Sequence, residues 1–275
     1  MLTRSLHLQL FLRSFFLQVG WNFAKYQNLG LCFVMLPFLK KTYMHDPELL
    51  PSALERYLEN FNTQPFMASF CFGALASQEE KLASAKNLAV YQERASEWNS
   101  IKRSLSITTA SIGDRLFWGT LKPLTLLLAL CVWLGLGIDF FEIGFTHTVE
   151  IKIILAGMGL AFGLFNLVSL LVRWRGISLS YHAKNNGCFG LTQFDWNKSI
   201  YYAKCLGMVL SLALLLWGIY YFLYHIEHFL FLQFITRSII VLFFVGISLI
   251  TRGLRIPNMY VYMAAMLMFS LVCFF

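Results

Sequence analysis

Residues 153–172 read IILAGMGLAFGLFNLVSLLV, and Arg173-Trp174-Arg175 follow at once. About twenty uncharged, mostly apolar residues match the helix length that crosses the roughly 30 Å hydrocarbon slab of a bilayer. A tryptophan between two arginines suits the level where that slab meets water. The stretch therefore reads as a membrane-spanning helix, and it sets the class of the chain. Four further apolar segments lie on either side of it: Leu124–Ile138 behind Lys122 and Pro123, then Cys205–Tyr224, Phe229–Ile250 and Pro257–Phe275. Gln233 and Arg237 interrupt the fourth. An arginine near a helix centre costs roughly 2.5–3.5 kcal/mol on insertion scales, so Arg237 is expected to snorkel or to face protein.

Composition agrees with this class. The 275 residues are 58% hydrophobic and 13% charged, against roughly 45–50% and about 25% in a soluble domain. Disorder is excluded by the same figures, because it needs low hydrophobicity and high charge. The net charge of +8 could suggest nucleic acid. Here, however, the basic residues are scattered in ones and twos with no aromatic-interleaved platform, which reads as the positive-inside bias of cytoplasmic loops. Cys32, Cys71, Cys131, Cys188, Cys205 and Cys273 form no CxxC pair and have no histidine at metal spacing, so they read as small apolar fillers. His225 and His228 flank Glu227 without further ligands, too sparse a set for a metal centre. No P-loop, GxSxG, HExxH or GxGxxG pattern occurs, and no cofactor is implied.

Loop charge sets an orientation. Asp139, Glu142 and Glu150 precede the central span with Lys152 alone at their end, whereas Arg173, Arg175, Lys184, Lys198 and Lys204 follow it against Asp195. The second group is expected in the cytoplasm, with Arg252 and Arg255 inside again. At the N-terminus His7 and Gln9 interrupt the apolar run, Arg13 ends it, and no small-x-small cleavage site follows. That segment is expected to stay cytoplasmic or to lie on the membrane surface as an amphipathic helix.

The chain changes character near Arg115. Residues 1–115 carry 12 basic and 9 acidic side chains, and residues 116–275 carry 10 and 5. The expected architecture is an all-α integral membrane protein. An amphipathic and re-entrant helical region, 1–115, precedes a transmembrane region, 116–275, of about five spans. In the first region Ser52-Ala53-Leu54-Glu55 has the form of a capping box behind Pro51. Leu54, Tyr57, Leu58 and Phe61 then share a helical face, with Glu55, Arg56 and Glu59 elsewhere, and Asn62–Pro65 ends the helix. Phe66–Ala76 is apolar but too short to span, which suits a half-crossing segment enclosed by protein. Ser77–Arg103 reads as a cytoplasmic helix or linker.

Polar groups inside apolar context mark where chemistry could sit. One block runs from Phe11 to Gly30 and contains Trp21, Asn22, Gln27 and Asn28. A second is Phe61-Asn62-Thr63-Gln64-Pro65-Phe66, followed by Glu79-Glu80, and a third is Gly113-Asp114-Arg115-Leu116-Phe117-Trp118-Gly119-Thr120. Sugars are held by amides and carboxylates that engage adjacent hydroxyls, with an aromatic ring against the apolar sugar face, and all three blocks pair those residue types. Each also has a structural alternative. Asn62 and Thr63 could end a helix, Asp114 could cap one beginning near Arg115, Trp21 and Trp118 could be interface aromatics, and Glu79-Glu80 could open a solvated helix.

At these blocks the chain resembles the IID membrane component of the mannose/fructose/sorbose family of the bacterial phosphoenolpyruvate-dependent phosphotransferase system. Trp21-Asn22-Phe23, Phe61–Phe66, Glu79-Glu80, Gly113-Asp114, Phe117–Thr120, Phe165-Asn166 and Arg173–Gly176 carry the likeness, which runs from Phe11 to about Tyr181. The resemblance implies a subunit of the inner membrane that builds a hexose pathway with a IIC subunit. It further implies a trimer of heterodimers and an elevator-like movement, with separate IIA and IIB domains that phosphorylate the sugar. No phosphohistidine is then expected in this chain. Trp21, Asn22, Asn62, Gln64, Asp114 and Trp118 are the candidate pathway residues, with Glu79 and Glu80 as gating or folding candidates. Three departures stand out. Ile107–Asp114 replaces a Gly-Pro-rich turn, Ala24-Lys25 replaces a pair containing a carboxylate, and Ser180 replaces a glycine before Tyr181. They leave a divergent, non-transporting scaffold or regulatory subunit as the alternative.

Overall fold

The computed structural model describes residues 2–85, 87–136, 148–184, 186 and 188–224. The expected spans Phe229–Ile250 and Pro257–Phe275, Arg237, and the His225–His228 pair lie outside the described residues. Helices make up about four-fifths of the described residues, which also form two isolated β-bridges, Asn22 with Tyr26 and Tyr26 with Phe61. The apolar run opened above lies inside α7, Thr148–Ala183, and α8 spans Trp196–Tyr224. A third long helix is built from α5, Leu88–Gly113, a π-helical stretch, Asp114–Leu121, and α6, Lys122–Gly135. Among the described residues, three helices are thus long and apolar enough to cross a membrane: Ala89–Gly135, Ile151–Ala183 and Trp196–Tyr221.

The rest of the N-terminal half is shorter. It comprises α1, Arg4–Ser14, α2, Asn28–Thr42, α3, Leu50–Tyr57, and α4, Ala68–Ala83. Met1–Ser211 forms one compact unit. Of the second unit, Leu212–Phe275, the described part is helical as far as Tyr224, and the Trp217 and Tyr221 rings stack there at 5.2 Å.

At about 1.5 Å per residue, α4 is too short to cross a roughly 30 Å slab, as expected for the apolar piece behind Pro65. It is instead buried on nearly every side and packs most extensively on α7. Small residues make this possible. A Cβ on Gly73 would lie 2.2 Å from the Ile177 carbonyl oxygen, so only glycine admits α7 here. Ser69 Oγ donates to the Val172 carbonyl at 3.2 Å, and Ser180 Oγ donates to the Phe70 carbonyl. The serine that replaces glycine before Tyr181 therefore fits by bonding across the contact.

Pro37 lies inside α2, where it cannot donate to the Phe33 carbonyl four residues back. Arg13 of α1 supplies the missing donor at 2.9 Å, with its guanidinium 4.5 Å from the centre of the Phe33 ring. This ties α1 to α2.

Several local expectations are corrected. The capping box does not form: α3 begins at Leu50, and Ser52 Oγ donates back to the Leu49 carbonyl at 2.9 Å. The helix also stops at Tyr57, before Asn62–Pro65. Ser77–Arg103, expected as a single helix or linker, is divided between the end of α4 and α5. Ser77, Gln78 and Glu79 are buried at the end of α4, and Trp98 and Lys102 are buried on α5. Ile107–Asp114 makes no turn, because its residues bring neither a proline nor a Gly-Pro pair to break the helix. Asp114 consequently begins a π-helical stretch inside a continuous helix and caps nothing.

Candidate functional site

Tertiary structure brings the three sequence blocks to one place. The first block turns back on itself at Trp21–Gln27. Asn22 and Tyr26 exchange backbone hydrogen bonds at 3.0 and 2.9 Å, and Asn22 Oδ1 accepts from the Lys25 N–H at 2.8 Å. Tyr26 holds a left-handed conformation, φ 61°, uncommon for a non-glycine residue and often found at functional positions. Asn22 Nδ2 donates to Asn28 Oδ1 at 2.9 Å, and Asn28 Nδ2 donates to the Leu58 carbonyl at 2.8 Å. The amides of the first block therefore lock its loop to the end of α3.

The second block docks on that loop. The Gln27 N–H donates to the Phe61 carbonyl at 2.8 Å. The Gln27 side-chain amide then pairs with the Thr63 backbone on both sides, donating to its carbonyl at 2.9 Å and accepting from its N–H at 3.0 Å. Thr63 Oγ1 and Thr109 Oγ1 lie 2.7 Å apart, which joins the second block to α5. Gln64 Oε1 accepts from the Phe66 and Met67 N–H groups at 2.8 and 3.0 Å and so caps the entry to α4. Its buried Nε2 has no acceptor among the described residues.

The third block closes the platform from above. A Cβ on Gly113 would lie 2.6 Å from Gln64 Cβ, so this glycine lets α5 rest directly on Gln64. Phe117 is fully buried, with its ring centre 4.7 Å from that of Phe66 and 6.1 Å from that of Phe165. The π-helical stretch shifts the register of the long helix there, a feature common at functional sites. Thr120 Oγ1 donates five residues back to the Arg115 carbonyl at 2.7 Å.

Around this buried seam, Trp21, Asn62, Asp114 and Trp118 are exposed. Trp21 packs edge-on to Phe23 at 4.9 Å. Trp118 has Lys122 Nζ 4.9 Å from its ring centre and lines an apolar groove of about 440 Å³ between α6 and α7, with Trp133, Phe162 and Phe165. Beside the loop, Lys25, Glu59, Asn60, Lys102 and Arg103 line a polar cavity of about 240 Å³.

Glu79 and Glu80 are not part of this platform. They lie at the opposite end of α4, about 16 Å of helix beyond Ala68. Glu79 is fully buried and pairs with Arg56. Tyr43 Oη donates to Glu79 Oε1 at 2.6 Å, and Tyr57 Oη donates to Oε2 at 3.2 Å. Burial and the Glu79 carboxylate push both phenols well above the ordinary tyrosine value. Burial is the largest single influence and opposes the Arg56 charge, but the Glu79 carboxylate and the Tyr43 and Tyr91 phenols together hold the guanidinium above its usual value. Tyr181 Oη donates to Glu80 Oε2 at 2.7 Å and accepts the Leu2 N–H at 3.1 Å.

Sequence reading put Arg56 off the buried face and passed over Gln27, Thr63 and Thr109 as candidates. Arg56 carries no signal in its own helix, since its partner lies in another. Gln27 and Thr63 did stand inside the quoted blocks. Their weight comes from a pairing that spacing does not reveal.

The chain as a whole is similar to known proteins. Residues 1–215 match the family model of the PTS system mannose/fructose/sorbose family IID component. The mannose-specific EIID component of Escherichia coli (strain K12) is 37% identical over 171 residues, which cover 62% of this chain and 53% of that protein. The fructose permease IID component of Bacillus subtilis (strain 168) is 33% identical over 180 residues, covering 66% and 57%. A chain of the mannose transporter ManYZ, solved in complex with microcin E492, superposes with a TM-score of 0.54 at 30% identity, covering 78% of this chain and 70% of that one. A second solved structure, described as a membrane protein, gives 0.60 at 31% with the same coverage. The chain spans about half the length of the curated relatives it matches. With 215 of its 275 residues matched and its conspicuous polar blocks meeting on one platform, the chain belongs to the mannose/fructose/sorbose family of phosphotransferase-system IID components.

Proposed function

We propose that the chain is a multi-pass inner-membrane subunit that forms a sugar pathway with a IIC subunit, in a phosphoenolpyruvate-dependent phosphotransferase transporter. The observation that carries this reading is the convergence of the three polar blocks at the entry to α4. Phe165 packs into that platform from within the apolar run of α7. The platform therefore reaches into the depth of the bilayer, where transporters hold substrate near the ends of interrupted helices. Asn62 and Asp114, exposed at its edge, supply amide and carboxylate groups for sugar hydroxyls. Trp21 and Trp118 supply ring faces, and Gln64 supplies an amide N–H without an acceptor among the described residues. Sugar is carried by an elevator-like movement within a trimer of heterodimers. Phosphate comes from separate IIA and IIB domains, so this chain contributes binding and passage, not a phosphohistidine. Glu79 and Glu80 act on folding or gating from the far end of α4.

The unbroken helix across Ile107–Gly113 favours a second reading, a non-transporting scaffold of the same fold. The test is phosphoenolpyruvate-dependent uptake of a panel of hexoses by the complex assembled with its IIC, IIA and IIB partners. Transport predicts uptake of at least one sugar and its loss in Asn62→Ala and Asp114→Ala. Co-purification with IIC but no uptake of any sugar supports the scaffold. Unchanged uptake and affinity in both variants overturn the site assignment.

A further inference from the structure

Away from the platform, α1 meets the end of α7 around a cavity of about 700 Å³. Arg4, His7 and Leu8 line it from α1, Trp174 and Arg175 from α7, and Phe194 from the segment beyond. The His7 ring stacks on the Trp174 indole with centres 4.3 Å apart, and its Nε2–H donates to the Trp174 carbonyl at 2.9 Å. Phe11 packs edge-on to the same indole at 5.1 Å. These contacts fix α1 against α7 and hold the cavity wall in place.

The two walls differ in chemistry. Arg4 and Arg175 are exposed, and neither makes an ion pair or side-chain hydrogen bond among the described residues. Two guanidiniums facing one cavity without a counter-charge suit an anion with several oxygens. Leu8, Trp174 and Phe194, each more than 40% exposed, offer an apolar surface beside them. A ligand with an anionic head and an apolar tail satisfies both. Depth points the same way. The uncharged run of α7 ends at Val172, so Trp174 and Arg175 stand where hydrocarbon gives way to water, the level of lipid headgroups.

We infer that this cavity binds an anionic phospholipid. Its phosphate lies between Arg4 and Arg175, and one acyl chain lies along Trp174, Leu8 and Phe194. The bound lipid clamps α1 onto the membrane-crossing helix α7. A free phosphate would leave the apolar wall bare, and a zwitterionic lipid would carry its own cation against the arginines.

The test is native mass spectrometry of the full chain in mild detergent, titrated with phosphatidylglycerol or with phosphatidylcholine of the same acyl chains. Phosphatidylglycerol is expected to be retained about thirty-fold more strongly, the scale that two arginines near a membrane surface supply. The Arg4→Gln/Arg175→Gln variant is expected to lose that preference, and Arg4→Lys/Arg175→Lys to keep part of it. Lys40→Gln/Lys41→Gln, at the exposed end of α2, is expected to keep all of it. Arg4→Gln alone, at an exposed position in the first turn of α1, gives a reduced preference even if the double variant does not fold. Equal retention of the two lipids overturns the inference. So does an unchanged preference in folded Arg4→Gln/Arg175→Gln or in Arg4→Gln. Competition by glycerol phosphate as effective as by the lipid also overturns it, because the site would then take a soluble anion.

Discussion

Arg56 and Glu79, 23 residues apart on α3 and α4, form an ion pair inside the protein. The Glu79 side chain is wholly buried and that of Arg56 is 11% exposed. The hydroxyls of Tyr43 and Tyr57 complete the carboxylate's hydrogen bonds, so α2, α3 and α4 meet on one charge. Removing one partner of such a pair leaves the other charge buried, a loss of about 3–5 kcal/mol. Glu79→Ala is therefore expected to destabilise the chain by that amount in thermal or denaturant unfolding. Glu79→Gln, which keeps a hydrogen-bond acceptor for the tyrosines, is expected to lose less. Equal stability of Glu79→Ala and the parent chain would show that Arg56 finds another partner.

The same cluster makes a prediction about pH. Folding raises the Tyr43 and Tyr57 phenols above their ordinary value of 10.0, through burial first and Glu79 second. A group with a raised folded pKa contributes stability that is complete below its unfolded pKa and is lost as pH rises towards the folded one. Stability is thus expected to fall as pH climbs past about 10. A near-ultraviolet titration should show these two phenols still protonated in the folded chain there. Their ionisation at the ordinary value would contradict the buried cluster.

Gln27 pairs with both polar groups of the Thr63 backbone. Gln27→Ala leaves a buried N–H and a buried carbonyl without partners, each worth about 1–3 kcal/mol. The variant is expected to unfold at lower temperature and to loosen the second block. Faster hydrogen exchange at the Thr63 N–H than in the parent chain is the direct readout. Unchanged protection there would mean that Gln27 does not hold the block.

The α4–α7 contact depends on the absence of a side chain at Gly73. A Cβ there meets the Ile177 carbonyl oxygen at 2.2 Å, whereas one on Gly159 meets nothing within 4 Å. Gly73→Ala is expected to cost about 1–3 kcal/mol or more through overpacking, because backbone on the opposing helix cannot give way cheaply. Gly159→Ala is expected to leave stability unchanged or to raise it slightly, alanine being the better helix former. Thermal unfolding of the two variants side by side reads the contrast.

Much of this was legible in the chain itself. The uncharged run 153–172 announced a membrane-spanning helix because length and apolarity alone satisfy the bilayer. Phe66–Ala76 announced a piece too short to cross, and α4 is such a piece. The three polar blocks were visible because amides, carboxylates and aromatics stand out in apolar surroundings. Local rules failed where packing overrode them. Ser52 had the spacing of a cap yet lies inside α3, and Arg56 had the spacing of a solvated face yet ends buried against α4. The helix boundary expected near Arg115 vanished because nothing from Ile107 to Leu121 breaks a helix; the register shifts there through a π-helical stretch.

By itself, then, the sequence determined the solvent this protein lives in, its helical character and the identity of its conspicuous polar blocks. Each of these follows from composition and short-range spacing. The tertiary structure alone decided that Trp21–Asn28, Phe61–Phe66 and Gly113–Thr120 share one platform while Glu79 and Glu80 serve the other end of α4. It also decided which polar groups find partners. A hydrogen bond such as that between Gln27 and Thr63 joins residues 36 apart, and no local periodicity encodes which distant backbone a buried amide will meet.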